Sequence, residues 1–308
     1  MGRNCILAVA AAAAAVINMA SAQAGPNTLA QYNPMNRTQS SNSTLCILPI
    51  TKQAAQAVTG FAPLDVPVDV LPSFPAGMHP LLVEVGYSND IRMTPLNLIP
   101  LQIPALMQAS VLVPYTDVTQ DGKTPISYPL NVYIGGTNGQ DVQAIVPTLA
   151  SGLSPFEGTT AFAARFAPDT SASQPLNNGL YSAQVKPYLL PNQVSGPGVY
   201  AEAFDVLYSI TSQSPYTAHT FHTLVNLPHR LNNGRCQRNT NYYNETFAAP
   251  QMATGNVTLY HQILATPPAD IEGQYTNVYC YQANAVQVAS LGESCSDASA
   301  NVDPAALQ

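Results

Sequence analysis

The chain has 308 residues, 46% of them hydrophobic, which is enough for a sizeable core in one large domain or two small ones. Only 9% are charged, against about a quarter in ordinary domains, and ten basic residues within a formal charge of -7 leave little to neutralise a phosphate backbone. These numbers argue against nucleic-acid binding and against attachment to an acidic membrane surface, and they leave solubility to Asn, Gln, Ser, Thr and glycan.

Residues 1–24 read as a signal peptide. Met1-Gly2-Arg3 is a short positive start, Cys5 to Ala15 is apolar and alanine-rich, and Ala22-Gln23-Ala24 places small residues before a cleavage point at Ala24/Gly25. The apolar run is shorter than the roughly 20 residues that span a bilayer, so stable membrane insertion is not expected. Residues 25–46 read as an exposed N-terminal arm carrying sugar. Acceptor tripeptides begin at Asn36 and Asn42 there, and at Asn244 and Asn256 further on. Removal of Cys5 leaves Cys46, Cys236, Cys280 and Cys295, an even number suited to two disulfides in an oxidising compartment. Pairing Cys46 with Cys236 and Cys280 with Cys295 is favoured, because the second pair would bracket a short excursion and the first would tie the arm to the body. No close Cys-x-x-Cys pair supports a zinc site. The predicted location is secreted, extracellular or in a secretory lumen.

A single domain is expected over 47–295. A helix is predicted over Thr51 to Val58, then β-rich runs at Leu81–Tyr87, Ala109–Val113 and Tyr128–Ile134, with a second helix over Leu98 to Met107 and a third over Val142 to Gly152. Further strands are predicted at Thr160–Phe166, Gly179–Leu189, Val199–Tyr208, Thr217–Leu227, Gly255–Leu264 and Tyr275–Ala285, about nine in all. The turn pairs Asp121-Gly122, Asn138-Gly139 and Asn178-Gly179 suit a closed or sandwiched antiparallel sheet. Residues 296–308 read as a flexible polar tail.

Familiar catalytic signatures are missing: there is no Gly-x-Ser-x-Gly, no His-Glu-x-x-His and no phosphate-cradling glycine loop. His219 and His222, three apart on a predicted strand, would face opposite ways, so no metal site is expected. Glu84, Glu202 and Asp205 lie within apolar strand runs. Such a carboxylate, if buried, would have a raised pKa suited to acid or base work; facing outward it would be an ordinary surface group.

From Leu81 to Gly158 the order of elements resembles the acetoacetate decarboxylase family, in particular its secreted fungal relatives. The likeness is carried by the strand Leu81–Tyr87, the prolines Pro95, Pro100 and Pro104, the run Ser110-Val111-Leu112-Val113-Pro114-Tyr115, and the turn Asp121-Gly122-Lys123-Thr124-Pro125. The strand Tyr128–Ile134 and the segment Ala150 to Gly158 complete it. The resemblance implies a mainly β fold (α+β), an antiparallel β-barrel or cone with a few short helices. It also implies a carbon–carbon lyase that decarboxylates a β-keto acid, including polyketide-derived acids of secondary metabolism, without a cofactor. In that family a lysine forms a Schiff base with the ketone. The family's adjacent lysines would fall near Ser154-Pro155-Phe156-Glu157, where this chain has none, and its only lysines are Lys52, Lys123 and Lys186. Lys186, Arg92 and Glu202 are therefore the catalytic candidates, with His79, Tyr133 and Arg165 for binding. The alternative is a non-catalytic secreted glycoprotein whose barrel holds a small apolar ligand.

Overall fold

A computed structural model describes residues 24–94, 100–140, 143–144, 147–148, 158–159, 161–188, 203–243, 246–260 and 271–308. The signal peptide, most of the helix predicted over Val142 to Gly152, Glu202 and Asn244 lie outside the described residues.

The strands in chain order are β1 (Arg37–Thr51), β2 (Met78–Met93), β3 (Leu101–Thr116), β4 (Ile126–Gly135), β5 (Ala161–Ala167), β6 (Gln174–Pro175) and β7 (Leu180–Pro187). They continue with β8 (Phe204–Ile210), β9 (His229–Arg230), β10 (Cys236–Gln237), β11 (Asn239–Tyr242), β12 (Gln251–Leu259) and β13 (Gly273–Ala289). The short α-helices bounded within the described residues are α1 (Lys52–Thr59), α2 (Ala218–Val225) and α3 (Cys295–Ala300).

Nine strands close on themselves in the order β4-β3-β2-β1-β13-β12-β8-β7-β5, and β5 returns to β4 as the one parallel pairing in the ring. The mainly β barrel with few short helices agrees with the predicted fold class. Closure removes exposed edges, which otherwise template aggregation. The alternation of side chains then sorts residues by parity. Leu48 and Ile50 of β1, Val83 and Val85 of β2, Val111 of β3, Val185 of β7 and Val206 of β8 fill the interior. Leu45, Ile47, Leu82, Leu112 and Tyr281 point outward and are covered by Phe221, Leu224 and Val225 of α2 together with Val70 and Leu71.

Local chemistry explains several boundaries. Thr51 caps α1 by accepting from the Ala54 amide at 3.0 Å, and Gly60 ends it with φ of 73°. Asn138-Gly139 and Asn178-Gly179 adopt positive φ throughout, as tight turns of their sequence require. At Gly255, beside a register shift in β12, an added Cβ would fall on the Leu207 carbonyl and lie 2.6 Å from the Cα of Tyr208. Only glycine lets β8 approach so closely.

Six expectations are corrected. The arm of 25–46 is not an arm: from Arg37 onward it is β1, in the middle of the sheet between β2 and β13. Its polar residues are buried in partnership, with the Asn42 amide donating to Asn284 Oδ1 at 2.9 Å and Gln39 reaching Ser88 and Gln108. The segment predicted as a helix to Met107 is β3, where Pro104 sits without the helical N–H it could not supply. Thr217–Leu227 contains α2, because Phe221, Leu224 and Val225 recur at helical spacing and bury one stripe. His219 and His222 therefore share a helical side, their Nδ1 atoms meeting the Leu307 and Gln308 carbonyls at 2.6 and 2.8 Å. These bonds, with Asn226 donating to the Ala306 carbonyl at 2.9 Å, dock the segment read as a flexible tail. All four cysteines form disulfides, but the pairs are Cys46–Cys280 and Cys236–Cys295. Cys46 and Cys280 are register partners on β1 and β13, both facing the interior, so neighbouring strands decide the pairing.

Candidate functional site

The interior of the barrel is the place a family resemblance would put chemistry, and among the described residues it is filled by side chains. Tyr133 is fully buried there, with Phe162 and Phe204 at ring-centroid distances of 6.2 and 6.3 Å. Burial pushes its phenol well above the ordinary range. Tyr208 stacks on Tyr181 at 5.4 Å, and its hydroxyl shares hydrogen bonds with Ser173 at 2.8 Å and Thr44 at 3.3 Å. The Cys46–Cys280 bridge packs in the same core.

The predicted site residues do not converge. Lys186 is half-buried on β7, on the face opposite Ala183 and Val185, opposite Arg165 of β5 in the register. Arg165 is exposed and donates from Nε to the Tyr188 hydroxyl at 3.0 Å, with the guanidinium 5.8 Å from that ring. Arg92 is engaged by its neighbour Asp90 through two bonds of 2.8 and 2.9 Å at the far end of β2. His79 lies at the opposite end of the same strand, 1% exposed, its Nε2 bonded to the Pro114 carbonyl at 2.7 Å. Burial lowers its pKa to about 4, so the ring is neutral and donates that proton. With Lys52 and Asp65 it borders a small pocket of about 160 Å³ whose other walls include Leu64, Leu71 and Phe74. Lys52 is paired to Asp65, and Lys123 is exposed in the Asp121 turn. Of the five described candidates, Tyr133 is the one that belongs to the core filling the barrel interior. Asp205 faces away from Phe204 and Val206, accepting from the Tyr260 hydroxyl at 3.1 Å. Glu84, also off the interior face, takes a bond from Ser110 at 3.2 Å and is raised by burial.

A cleft of about 470 Å³ lies at the end of the barrel where β1 begins and β13 finishes. Its floor is Thr240 and Tyr242 of β11 beside Val288 of β13, with Thr240 and Val288 in register. Val288 lies on the same face of β13 as Cys280, so the floor continues the surface that lines the interior. Leu29, Asn33, Asn36, Arg238, Ser290 and Asp303 complete the lining. The Tyr242 hydroxyl donates to Asp303 Oδ2 at 2.7 Å, which with the Ala305 amide holds that carboxyl below its usual range. Burial, then Asp303, raises Tyr242 to about 12. Arg238 donates from Nε to Glu293 at 2.8 Å and from Nη1 to the Asn301 carbonyl at 3.0 Å.

None of these cleft residues except Asn36 was marked by the sequence. They come from three distant segments, and Asp303 belongs to the stretch that composition alone presents as loose. Among the described residues no group of three or more His, Cys, Asp or Glu is placed to hold a metal, and no helix is long and apolar enough to cross a membrane.

No family model matches the chain, and no curated protein matches it significantly. Several solved structures are similar. One is the enduracididine biosynthesis enzyme MppR complexed with the condensation product of pyruvate and imidazole 4-carboxaldehyde, at 10% identity and a TM-score of 0.46, covering 84% of this chain and 89% of that one. MppR complexed with pyruvate aligns at 10% identity and a TM-score of 0.44 over 85% of this chain and 91% of that one. An acetoacetate decarboxylase-like enzyme from Sphingomonas wittichii RW1 aligns at 9% identity and a TM-score of 0.36 over 83% of this chain and 94% of that one. Likeness at this level transfers no substrate or activity.

Proposed function

We propose that this chain is an exported, disulfide-stapled barrel protein that binds a small molecule in its end cleft and does not work through a lysine Schiff base. The observation that supports this reading is the position of the lysines. The chain has only Lys52, Lys123 and Lys186, and none of them enters the barrel interior, which Tyr133, Phe204 and Tyr208 occupy. Iminium chemistry needs a neutral amine in a desolvated or cationic pocket at the reacting carbon. Lys52 is instead ion-paired, Lys123 is exposed, and Lys186 lies on the outward side of β7. The end cleft, by contrast, has the size of a small-molecule site and carries several polar groups on a rigid sheet.

Incubation of the mature protein with acetoacetate and longer β-keto acids tests this, with carbon dioxide release, borohydride trapping and peptide mass mapping read together. The expected result is no reduced adduct and no release above buffer, alongside ligand-dependent rises in Tm with small polar compounds. Release with an adduct on Lys186 or Lys52 would refute the reading and reinstate a β-keto acid decarboxylase.

A further inference from the structure

We infer that the ligand of the end cleft is a neutral polyhydroxylated ring, a saccharide residue; this rests on the cleft being a binding site. Charge is the first argument. Arg238 is neutralised by Glu293, while Asp303 is held ionised by Tyr242 and the Ala305 amide, so the three leave one net negative charge. A carboxylate or phosphate guest would meet Asp303 without a surplus cation, and a cationic guest would find both Asp303 oxygens already bonded, to the Tyr242 hydroxyl and the Ala305 amide. A neutral guest avoids both costs.

Hydrogen-bond capacity is the second. Arg238 lines the cleft, and among the described residues its hydrogen bonds are made by Nε and Nη1, leaving Nη2 to a guest. Among the described residues the Asn36 amide and the Thr240 hydroxyl make no side-chain bonds, and Asn33 uses only its Nδ2, toward the Leu29 carbonyl at 3.1 Å. Donors and acceptors therefore line one cavity of about 470 Å³ together, which suits adjacent hydroxyls that each donate and accept. Apolar surface is the third. The segment that supplies Leu29, Asn33 and Asn36 also exposes Tyr32 (72%) and Met35 (47%), and Leu291 next to Ser290 is 74% exposed. Within the cleft itself Leu29, Val288 and the Tyr242 ring supply the apolar lining, which suits the C–H face of a sugar ring.

The sugar has two sources, a free glycan or the first residues of a glycan on Asn36, which heads the acceptor tripeptide Asn36-Arg37-Thr38 and itself lines the cleft. Two arms separate them. In the first, full-length protein from a secretory eukaryotic host is treated with an endoglycosidase that cuts within the sugar stem, native and then denatured. A seated stem at Asn36 resists cleavage until denaturation, whereas one at Asn256 is cut at once. In the second, protein made without glycosylation, its disulfides confirmed, is titrated by NMR with neutral hexoses, N-acetylhexosamines and their oligomers, beside small carboxylates of similar size. Saturable shifts at the cleft are expected with the sugars, weakened about fivefold by Thr240→Val. Saccharide binding or a shielded Asn36 stem supports the inference. Binding of the carboxylates with no sugar response in either arm overturns it while leaving the binding reading standing; silence toward both ligand sets with an unshielded or empty Asn36 overturns the two together.

Discussion

Replacing the interior bridge as Cys46→Ala/Cys280→Ala should cost more stability than replacing the peripheral one as Cys236→Ala/Cys295→Ala. The bridges span 234 and 59 residues. Loop-closure entropy scales as 1.5R times the logarithm of loop length, which gives about 5 kcal/mol for the longer loop and about 4 kcal/mol for the shorter, a difference of about 1 kcal/mol. Measured bridges contribute about 2–4 kcal/mol, so the difference is the firmer quantity. Packing acts in the same direction. Cys46 and Cys280 are both fully buried in the barrel core, whereas Cys295 is only half-buried at the surface, so alanine leaves its larger void inside. Urea unfolding of the oxidised parent and the two double variants reads the difference directly, with m-values compared to detect a changed unfolded state. Equal losses, or a larger loss from the peripheral pair, would refute the reasoning. Peptide mapping without reduction provides the companion check, since a Cys46–Cys236 peptide would contradict the strand register itself.

Three further outcomes follow from particular residues. Asn42 is 5% exposed and bonded to Asn284, so glycopeptide mapping of the folded secreted protein should find it unmodified, and Asn42→Ala should lose about 1–3 kcal/mol in denaturant unfolding. Gly255→Ala should destabilise by about 1–3 kcal/mol, since its methyl would collide with the β8 backbone; a thermal midpoint unchanged from the parent would show that β8 can retreat. His79 and His229 are both depressed by burial to about 4, so the unfolded chain takes up protons that the folded chain refuses as pH falls from 6.5 to 4. Stability is then fully present above pH 6.5 and declines through that window, by on the order of 3 kcal/mol per histidine, and His79→Gln should flatten the decline in a pH series of urea midpoints.

Exposed turns and strand bodies were legible because their causes are local. Asn-Gly pairs demand positive φ wherever they occur, and the β-branched alternation of Leu81–Tyr87 or Tyr128–Ile134 has one favourable pleat. The same locality explains the failure at 38–44. Thr38-Gln39-Ser40-Ser41-Asn42-Ser43-Thr44 contains no apolar residue, and only partners from β2, β3, β8 and β13 make its burial affordable. α2 was misread for a related reason: its β-branched residues suit a strand, and the apolar stripe that overrides them matters only once Tyr281 and Leu82 lie beneath it.

By itself the sequence determined that four cysteines would be consumed in two bridges, that the body would be mainly strands joined by tight turns, and that no lysine pair stands where the family resemblance requires one. Which cysteines meet, which face of β7 carries Lys186, and whether Arg92, His79 and Tyr133 share a site were decided by tertiary structure alone. The physical reason is closure. In a barrel the partner of a residue is fixed by register between strands distant in the chain, and a one-residue change of register sends every side chain to the other face. The end cleft belongs to the same category, since Asn36, Thr240 and Asp303 become neighbours only when β1, β11 and the C-terminal segment reach one end of the closed sheet.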